Sequence, residues 1–457
     1  MKSILICSIM VILISFSSCK KRGHNSSPTA PDFEVPKIVA SGNEQYLKLD
    51  SEYIFDQNRL ATFELKIPGS ALEEIDSDPA AEEYVEGMLI FEGDTISPVG
   101  IRYKGSVGAF VNCVSGSDWA NPSGYKTCTK LSMKIKINWK GRQEKFYKLK
   151  KLQFHSQNLD PSQMHERLGY WLFREMGVPA PRSVHARLMI NGEYSGLYAL
   201  TEQVDGRFTR YNFDDGKGNL YKEIWPLHTN GTRRSSRSFL NALKTNEDDN
   251  PSVEIIKSFA QQLQDAEEAD VQKVIEQFMD IEKIVSFIVV DRMIRNDDGP
   301  FHWYCHDGGC GNHNYYWYEE PAAKKLHLIP WDMDNAFENI IHNENPVTPI
   351  AGKFGDRIND CRPFKYGDLG IYQWASGCDK LTAGWASYTK EFEQLKKKFI
   401  NGPFSEAQVN ALLIAWTEQI REATLEASDT HDDALSVSRW ERELDRLKRQ
   451  LEFARNK

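Results

Sequence analysis

Several familiar signatures are missing from these 457 residues, and each absence closes a class of chemistry. There is no G-x-S-x-G nucleophile elbow, no H-E-x-x-H zinc helix, no Walker loop ending in G-K-[ST] and no G-x-G-x-x-G turn. Serine hydrolase, zincin, P-loop and Rossmann readings therefore have no support. Basic side chains are in deficit: 56 Lys and Arg face 65 Asp and Glu, a net charge of −9, and no basic stripe stands out. That balance excludes a general nucleic-acid binder. No CxxC pair or histidine cluster accompanies the cysteines, which argues against the rival reading of structural zinc. Beyond residue 14 no apolar run approaches the roughly 20 residues of a membrane span.

What is present begins at the N-terminus. Met1 and Lys2 precede an apolar run over 4–14, and Ser15, Ser17 and Ser18 lead to Cys19. A charged start, a short apolar core and small residues before a cut site make a signal peptide over 1–18. The competing reading is an uncleaved anchor or a buried helix. Cysteine after the small residues resembles the lipoprotein box of bacteria, although Phe16 stands where leucine is usual. The expectation is an exported protein, lipid-anchored through Cys19 to a bacterial membrane on its periplasmic or cell-surface side. Residues 19–50 read as a tether, because 20–36 is rich in Ser, Pro and Lys without apolar periodicity. Six further cysteines fall into local pairs, Cys113 with Cys128, Cys305 with Cys310 and Cys361 with Cys378. Disulfides stapling three loops suit an exported chain.

The rest divides by periodicity. Runs over 60–66, 87–91, 99–104 and 130–139 alternate apolar and polar side chains and predict strands. Asp160-Pro161 opens a predicted helix to about Met176, stopped by Gly177 with Pro179 and Pro181 beyond. Asn191-Gly192 between two apolar runs predicts a hairpin over 184–204. After Lys222 the pattern turns helical over 251–265, 271–279 and 281–295, with a short β-like stretch at 314–318 and 325–330. Helices then run to the end, the last over 438–455. A sheet lobe (51–205) followed by a helical lobe (206–457) is an α+β plan. Eleven Trp and abundant Tyr could line a glycan groove or fill the core.

A few polar residues could carry chemistry. Asp298 lies in RNDDGP (295–300), beside Asp297, after a predicted helix. Asp332 and Asp334 lie in IPWDMD (329–334), after a predicted strand. Carboxylates two apart on an extended chain point to one side, and oxygen ligands suit Mg²⁺ or Mn²⁺. They could equally cap a turn. Lys134 and Lys136 share one strand face and could clamp phosphates or sit solvated. Glu202 and Asp205 follow an apolar strand, where a surface turn is the plain alternative. Gly100, Gly105 and Gly108 with Arg102 and Lys104 make a basic, glycine-containing strand and turn, a weak phosphate-loop signal by itself. The order of these parts is that of a protein kinase: strand lysine, helix, hairpin, acidic connector, Asp loop, strand ending in Asp.

Longer stretches carry a resemblance: LKKLQFHSQN (149–158) with Asp160-Pro161, the helix ending FREMGVPAP (173–181), INGEYSGLY (190–198) with Glu202, and HNYYWY (313–318) leading to IPWDMDNAF (329–337). Together they span about 55–450, and the chain resembles the CotH family, the spore-coat-protein-H-like atypical kinases. The resemblance implies a two-lobed, atypical protein-kinase-like fold, with a sheet lobe carrying one main helix and a mostly helical second lobe. It implies ATP as substrate, Mg²⁺ or Mn²⁺ as cofactor, and an exported protein substrate phosphorylated on Ser or Thr. Asp298 would be the catalytic aspartate, with Asp297 as the neighbouring alternative. Asp332 would hold the metal, with Asn314 and Asp334 as further ligands. Lys136, or Lys134, would clamp phosphate and pair with Glu166, and Glu202 would sit near the nucleotide.

Two departures stand out. RYKGS (102–106) replaces the family's R-x-R-G-x-S, so Lys104 keeps the charge but loses the fork of arginine. Residues 301–312 look like an insertion, which a Cys305–Cys310 bond would make a tight hairpin beside the active site. The alternatives are a non-catalytic surface binding or adhesion protein on the same scaffold, and a metal-dependent phosphoesterase built on the three aspartates.

Overall fold

The computed structural model describes residues 31–37, 42–118, 120–249, 251–296, 298–306, 309–337, 354, 360–366 and 371–456. Residues 1–18, Cys19 and Asp297 lie outside them. The first seven strands, β1 (Ala61–Lys66), β2 (Val85–Phe91), β3 (Asp94–Tyr103), β4 (Met133–Lys136), β5 (Lys151–His155), β6 (Ser183–Ile190) and β7 (Glu193–Thr201), close into a barrel. All pairs are antiparallel except β1 with β6, which closes the ring. Alternation drives this: Phe63, Leu65, Leu89, Ile101, Met133, Ile135 and Phe154 point inward and are buried. The predicted Asn191-Gly192 turn joins β6 to β7, both residues with positive φ (54° and 91°).

The helix expected from Asp160 begins instead at His165 and runs to Glu175. The Asp160 carboxylate collects the N–H groups of Ser162, Gln163 and His165, so residues 160–164 form a separate turn. A second core forms around the Ile281–Ile294 helix and a cluster of tryptophans. Trp225 meets Trp303, Trp317 and Trp385 at ring separations of 5.7, 5.7 and 5.8 Å. These tryptophans, with Trp440, are buried core and line no groove. β8 (Leu220–Lys222), β11 (Tyr315–Glu320) and β12 (Lys325–Pro330) form a small sheet, with β9 (His302–His306), β10 (Gly309–Gly311), β13 (Phe364–Tyr366) and β14 (Ile371–Ala375) in another. The long Glu406–Thr430 helix turns back onto the barrel, where Tyr194 donates to the Ala423 carbonyl. The architecture is α+β, and all three expected disulfides are formed. Among the described residues no helix is long and apolar enough to cross a membrane.

Glu202 is part of this framework. Arg182 donates to both of its carboxylate oxygens (2.6 and 2.9 Å), and Glu202 is 2% exposed. Arg182 also stacks on Tyr211 and Phe55. Truncating one partner leaves the other charge buried and uncompensated, which typically costs about 3–5 kcal/mol. Glu202→Ala is expected to lower unfolding stability by that amount in urea titration, and a loss under about 1 kcal/mol would contradict the assignment.

Candidate active site

The ends of β3 and β5, the 156–166 stretch and the loops that carry Asp298 and Asp332 enclose a cleft of about 110 Å³, lined among others by Lys104, His155, Glu166, Asp298, Asp332 and Asp334. Each side chain arrives for a local reason. Arg102 and Lys104 follow the inward-facing Ile101 and Tyr103 and so point outward. Arg102 is salt-bridged to Glu82, and the same Glu82 accepts the Gly105 N–H (2.8 Å), which pins the start of the glycine-containing loop. Lys104 Nζ lies 2.7 Å from His155 Nε2, and His155 Nδ1 lies 2.7 and 2.8 Å from the Glu166 carboxylate oxygens. A donating ammonium at Nε2 leaves the imidazole proton on Nδ1, where it donates to Glu166. Thr201 Oγ1 also donates to Glu166, at 3.2 Å. Burial lowers the Lys104 pKa, with Asp332 and Glu166 pulling it back.

The expected pairing of Lys136 with Glu166 is therefore corrected. Glu166 reaches Lys104, not Lys136, and reaches it through His155. Lys136 lies outward along β4, its ammonium 5.6 Å over the Trp139 ring and 6.0 Å over Tyr84. Lys134 sits one residue pair closer, opposite Arg102 in the β3–β4 register. Burial, then Lys151, Lys104 and Arg102, push its pKa down to about 7. It does not line the cleft. Glu202 is held by Arg182, also outside the lining.

The acidic wall comes from two loops. The Ile281–Ile294 helix ends on Arg295 in a left-handed conformation. Asn296 then donates to the buried Asp291 carboxylate (3.0 Å), whose pKa burial raises to about 8. Gly299 is required here: a Cβ would lie 2.4 Å from Asn296 Nδ2. Asp298, between them, accepts from His313 Nε2 (2.6 Å) and from Asn314 Nδ2 (2.9 Å). The pairing of Tyr315 with Pro330 brings Asn314 beside the second loop, where the Trp331 N–H donates to the Asn314 carbonyl (3.1 Å).

The second loop is not the extended segment that the two-apart spacing of Asp332 and Asp334 suggested. Asp332 adopts φ 58°, and its N–H donates to the Tyr170 hydroxyl (2.9 Å). Left-handed backbone at a non-glycine residue is a typical strained functional position. Met333 between the aspartates is fully buried, and a Cβ at Gly169 would stand 3.2 Å from it, so a glycine in the helix lets the loop approach. Both carboxylates reach the cleft through this turn.

The electrostatics are those of crowded anions. Burial raises the Asp332 pKa, and the charges of Glu166 and Asp298 add to it, against His155 and Lys104. Asp334 is pushed well up by burial and then by Asp332, Glu166 and Asp298. Among the described residues no group of three or more His, Cys, Asp or Glu is closed around a cation position. An open set of hard oxygen donors with excess negative charge fits Mg²⁺ or Mn²⁺, which keep several ligands as water and phosphate oxygen. Asp332 and Asp334 would hold such an ion. Asn314, with its Nδ2 on Asp298, has its Oδ1 to offer.

His155 and His313 had no assigned role in the sequence, although both lie inside the motif stretches. Burial lowers the affinity of His313 for a proton, but the hydrogen bond and charge of Asp298 outweigh it and raise the pKa. A folded pKa above the unfolded value of about 6.5 contributes stability below that pH and loses it as pH rises through the folded value. The metal-free protein is expected to lose melting temperature as pH rises above about 6.5, and His313→Asn is expected to flatten that fall. Equal slopes in the two proteins would contradict the pair.

No curated protein matches the chain. Among solved structures it is similar to a Helicobacter pylori proinflammatory kinase, CtkA, at 11% identity over 68% of this chain and 94% of that one. The TM-score is 0.21, too loose a likeness to position any residue. The sequence model of the family described as CotH kinase protein matches residues 101–456, which include the whole cleft, and the chain belongs to that family.

Proposed function

We propose that the chain is an exported, lipid-anchored protein kinase that moves the γ-phosphoryl group of ATP to a Ser or Thr hydroxyl of an exported protein, with Mg²⁺ or Mn²⁺. The observation that carries this reading is one cleft with the Lys104–His155–Glu166 chain on one side and Asp298, Asp332 and Asp334 on the other. Lys104 binds phosphate oxygens, and Glu166, through His155, fixes its direction. Asp298 receives the proton of the acceptor hydroxyl as its oxygen bonds to phosphorus and the bond to ADP breaks. His313 and Asn314 orient that carboxylate. Asp332 and Asp334 would hold the cation, which would supply charge neutralisation for the phosphate oxygens. Such a site works by positioning and electrostatics. The three disulfides support export, since such bonds persist in oxidising compartments.

Incubating the full chain with γ-labelled ATP and Mn²⁺ tests the activity. Label is expected on the chain itself or on an exported protein, and Lys104→Met is expected to abolish it. Label released only as inorganic phosphate would favour a phosphoesterase. A melting temperature raised by a glycan and unmoved by ATP would favour a binding protein.

A further inference from the structure

A second cavity, of about 470 Å³, lies behind the turn that precedes the His165–Glu175 helix. Small-molecule sites span about 300–1,000 Å³. Its walls are the loop stapled by Cys113–Cys128, the 157–163 turn, and the connection between the Glu406–Thr430 and Val437–Arg455 helices. It shares Gln157, Asn158 and Leu159 with the catalytic cleft and none of the aspartates.

Two of its donors, Lys130 and Arg439, are cationic. Lys130 Nζ donates to the Leu197 carbonyl (2.9 Å) and lies 5.4 Å over the Tyr198 ring, which leaves two N–H groups available. Burial lowers its pKa to about 8, with Asp433 and Asp160 pulling it back, as for an ammonium short of counter-charge. Arg439 is exposed at the rim with no ion pair among the described residues. The 19-residue Val437–Arg455 helix begins at Ser436, whose side chain makes no capping bond, and Ser436 and Arg439 both line the cavity. One carboxylate, Asp433, is present, but its oxygens accept from the N–H and hydroxyl of Thr129, each at 2.7 Å. Val111, Leu159 and Leu435 make the remaining wall apolar.

The turn between the two cavities joins His155 to Glu166. Within it Asn158 Nδ2 donates to the Lys130 carbonyl (2.8 Å) and Gln157 Nε2 to the Gln163 carbonyl (3.0 Å). A ligand against Lys130 and this turn therefore bears on His155 and Glu166, the two residues that hold Lys104.

We propose that this cavity binds a small organic anion, an apolar body carrying anionic oxygens, and that its occupancy changes nucleotide affinity through the 157–163 turn. The second half rests on the kinase reading. The test is the melting temperature of the full chain without nucleotide, titrated with phenyl phosphate, benzoate and, as a neutral control, phenol. At least one anion is expected to raise it and phenol to leave it unmoved. Lys130→Met and the rim substitution Arg439→Gln are each expected to weaken anion binding at least tenfold. Ala434→Phe, which fills the cavity, is expected to abolish it, and Asp332→Ala to leave it intact. No rise with either anion would overturn the site, as would a rise lost in Asp332→Ala and kept in Lys130→Met. ATP affinity is then measured with and without the anion, and at least a threefold change is expected. An unchanged affinity overturns the coupling alone. Absence of ATP binding counts against the kinase reading and leaves the anion result standing.

Discussion

Replacing Asp332 with alanine is expected to lower kcat/KM for phosphoryl transfer by about 10³-fold or more, the equivalent of several kcal/mol of lost charge stabilisation. The same change is expected to raise the melting temperature of the metal-free protein. Both effects have one cause. Asp332 and Asp334 are held together where burial and the charges of Glu166 and Asp298 disfavour ionisation. Removing one carboxylate relieves that repulsion and at the same time removes the ligand that makes a cation favourable there. A residue that merely capped a turn would show the opposite sign, with stability lost and little effect on rate. Steady-state kinetics beside thermal unfolding of the same variant separates the two.

Asp298→Asn is expected to lower kcat by about 10²- to 10⁴-fold, the usual range for loss of a positioned general base, with KM for ATP little changed. Asparagine keeps the size of the side chain and an oxygen for His313 or Asn314, so the loop, held by Asn296 on Asp291, should survive. The loss would therefore lie in the proton transfer and not in nucleotide binding. A KM effect equal to the kcat effect would mean that Asp298 acts chiefly on the metal or the nucleotide.

The sequence showed the strands of the barrel where one face is buried and the other polar. β5 carries the same alternation, Lys151-Leu152-Gln153-Phe154-His155, but over only five residues, too short to stand out as a strand; Leu152 and Phe154 fill the barrel while Gln153 and His155 are covered on the outer face. That strand carries His155, which links Glu166 to Lys104 at the end of β3 and not to a lysine on β4. Periodicity reports which side of a strand is covered; it does not report which neighbouring strand a helix leans on. Closure by the parallel β1–β6 pair is equally invisible in a local pattern. The disulfides were legible because each pair spans a short loop, and Cys305 and Cys310 lie directly opposite each other on β9 and β10. Their hairpin reaches the site through Tyr304, whose ring lies 5.1 Å from that of His313. Asp298, Asp332 and Asn314 converge because Tyr315 pairs with Pro330, a register that hairpin reasoning supports but motif order alone does not specify.

The most direct test of the central claim, that this cleft is a phosphoryl-transfer site, is a crystal structure of the chain with Mn²⁺ and a non-hydrolysable ATP analogue, with the metal located by its anomalous scattering. The account predicts a manganese peak bound by Asp332 and by phosphate oxygens, with Lys104 on the phosphates and Asp298 facing the γ-phosphorus. Nucleotide and metal bound elsewhere, with Lys104 still on His155 and the aspartates empty, would contradict it.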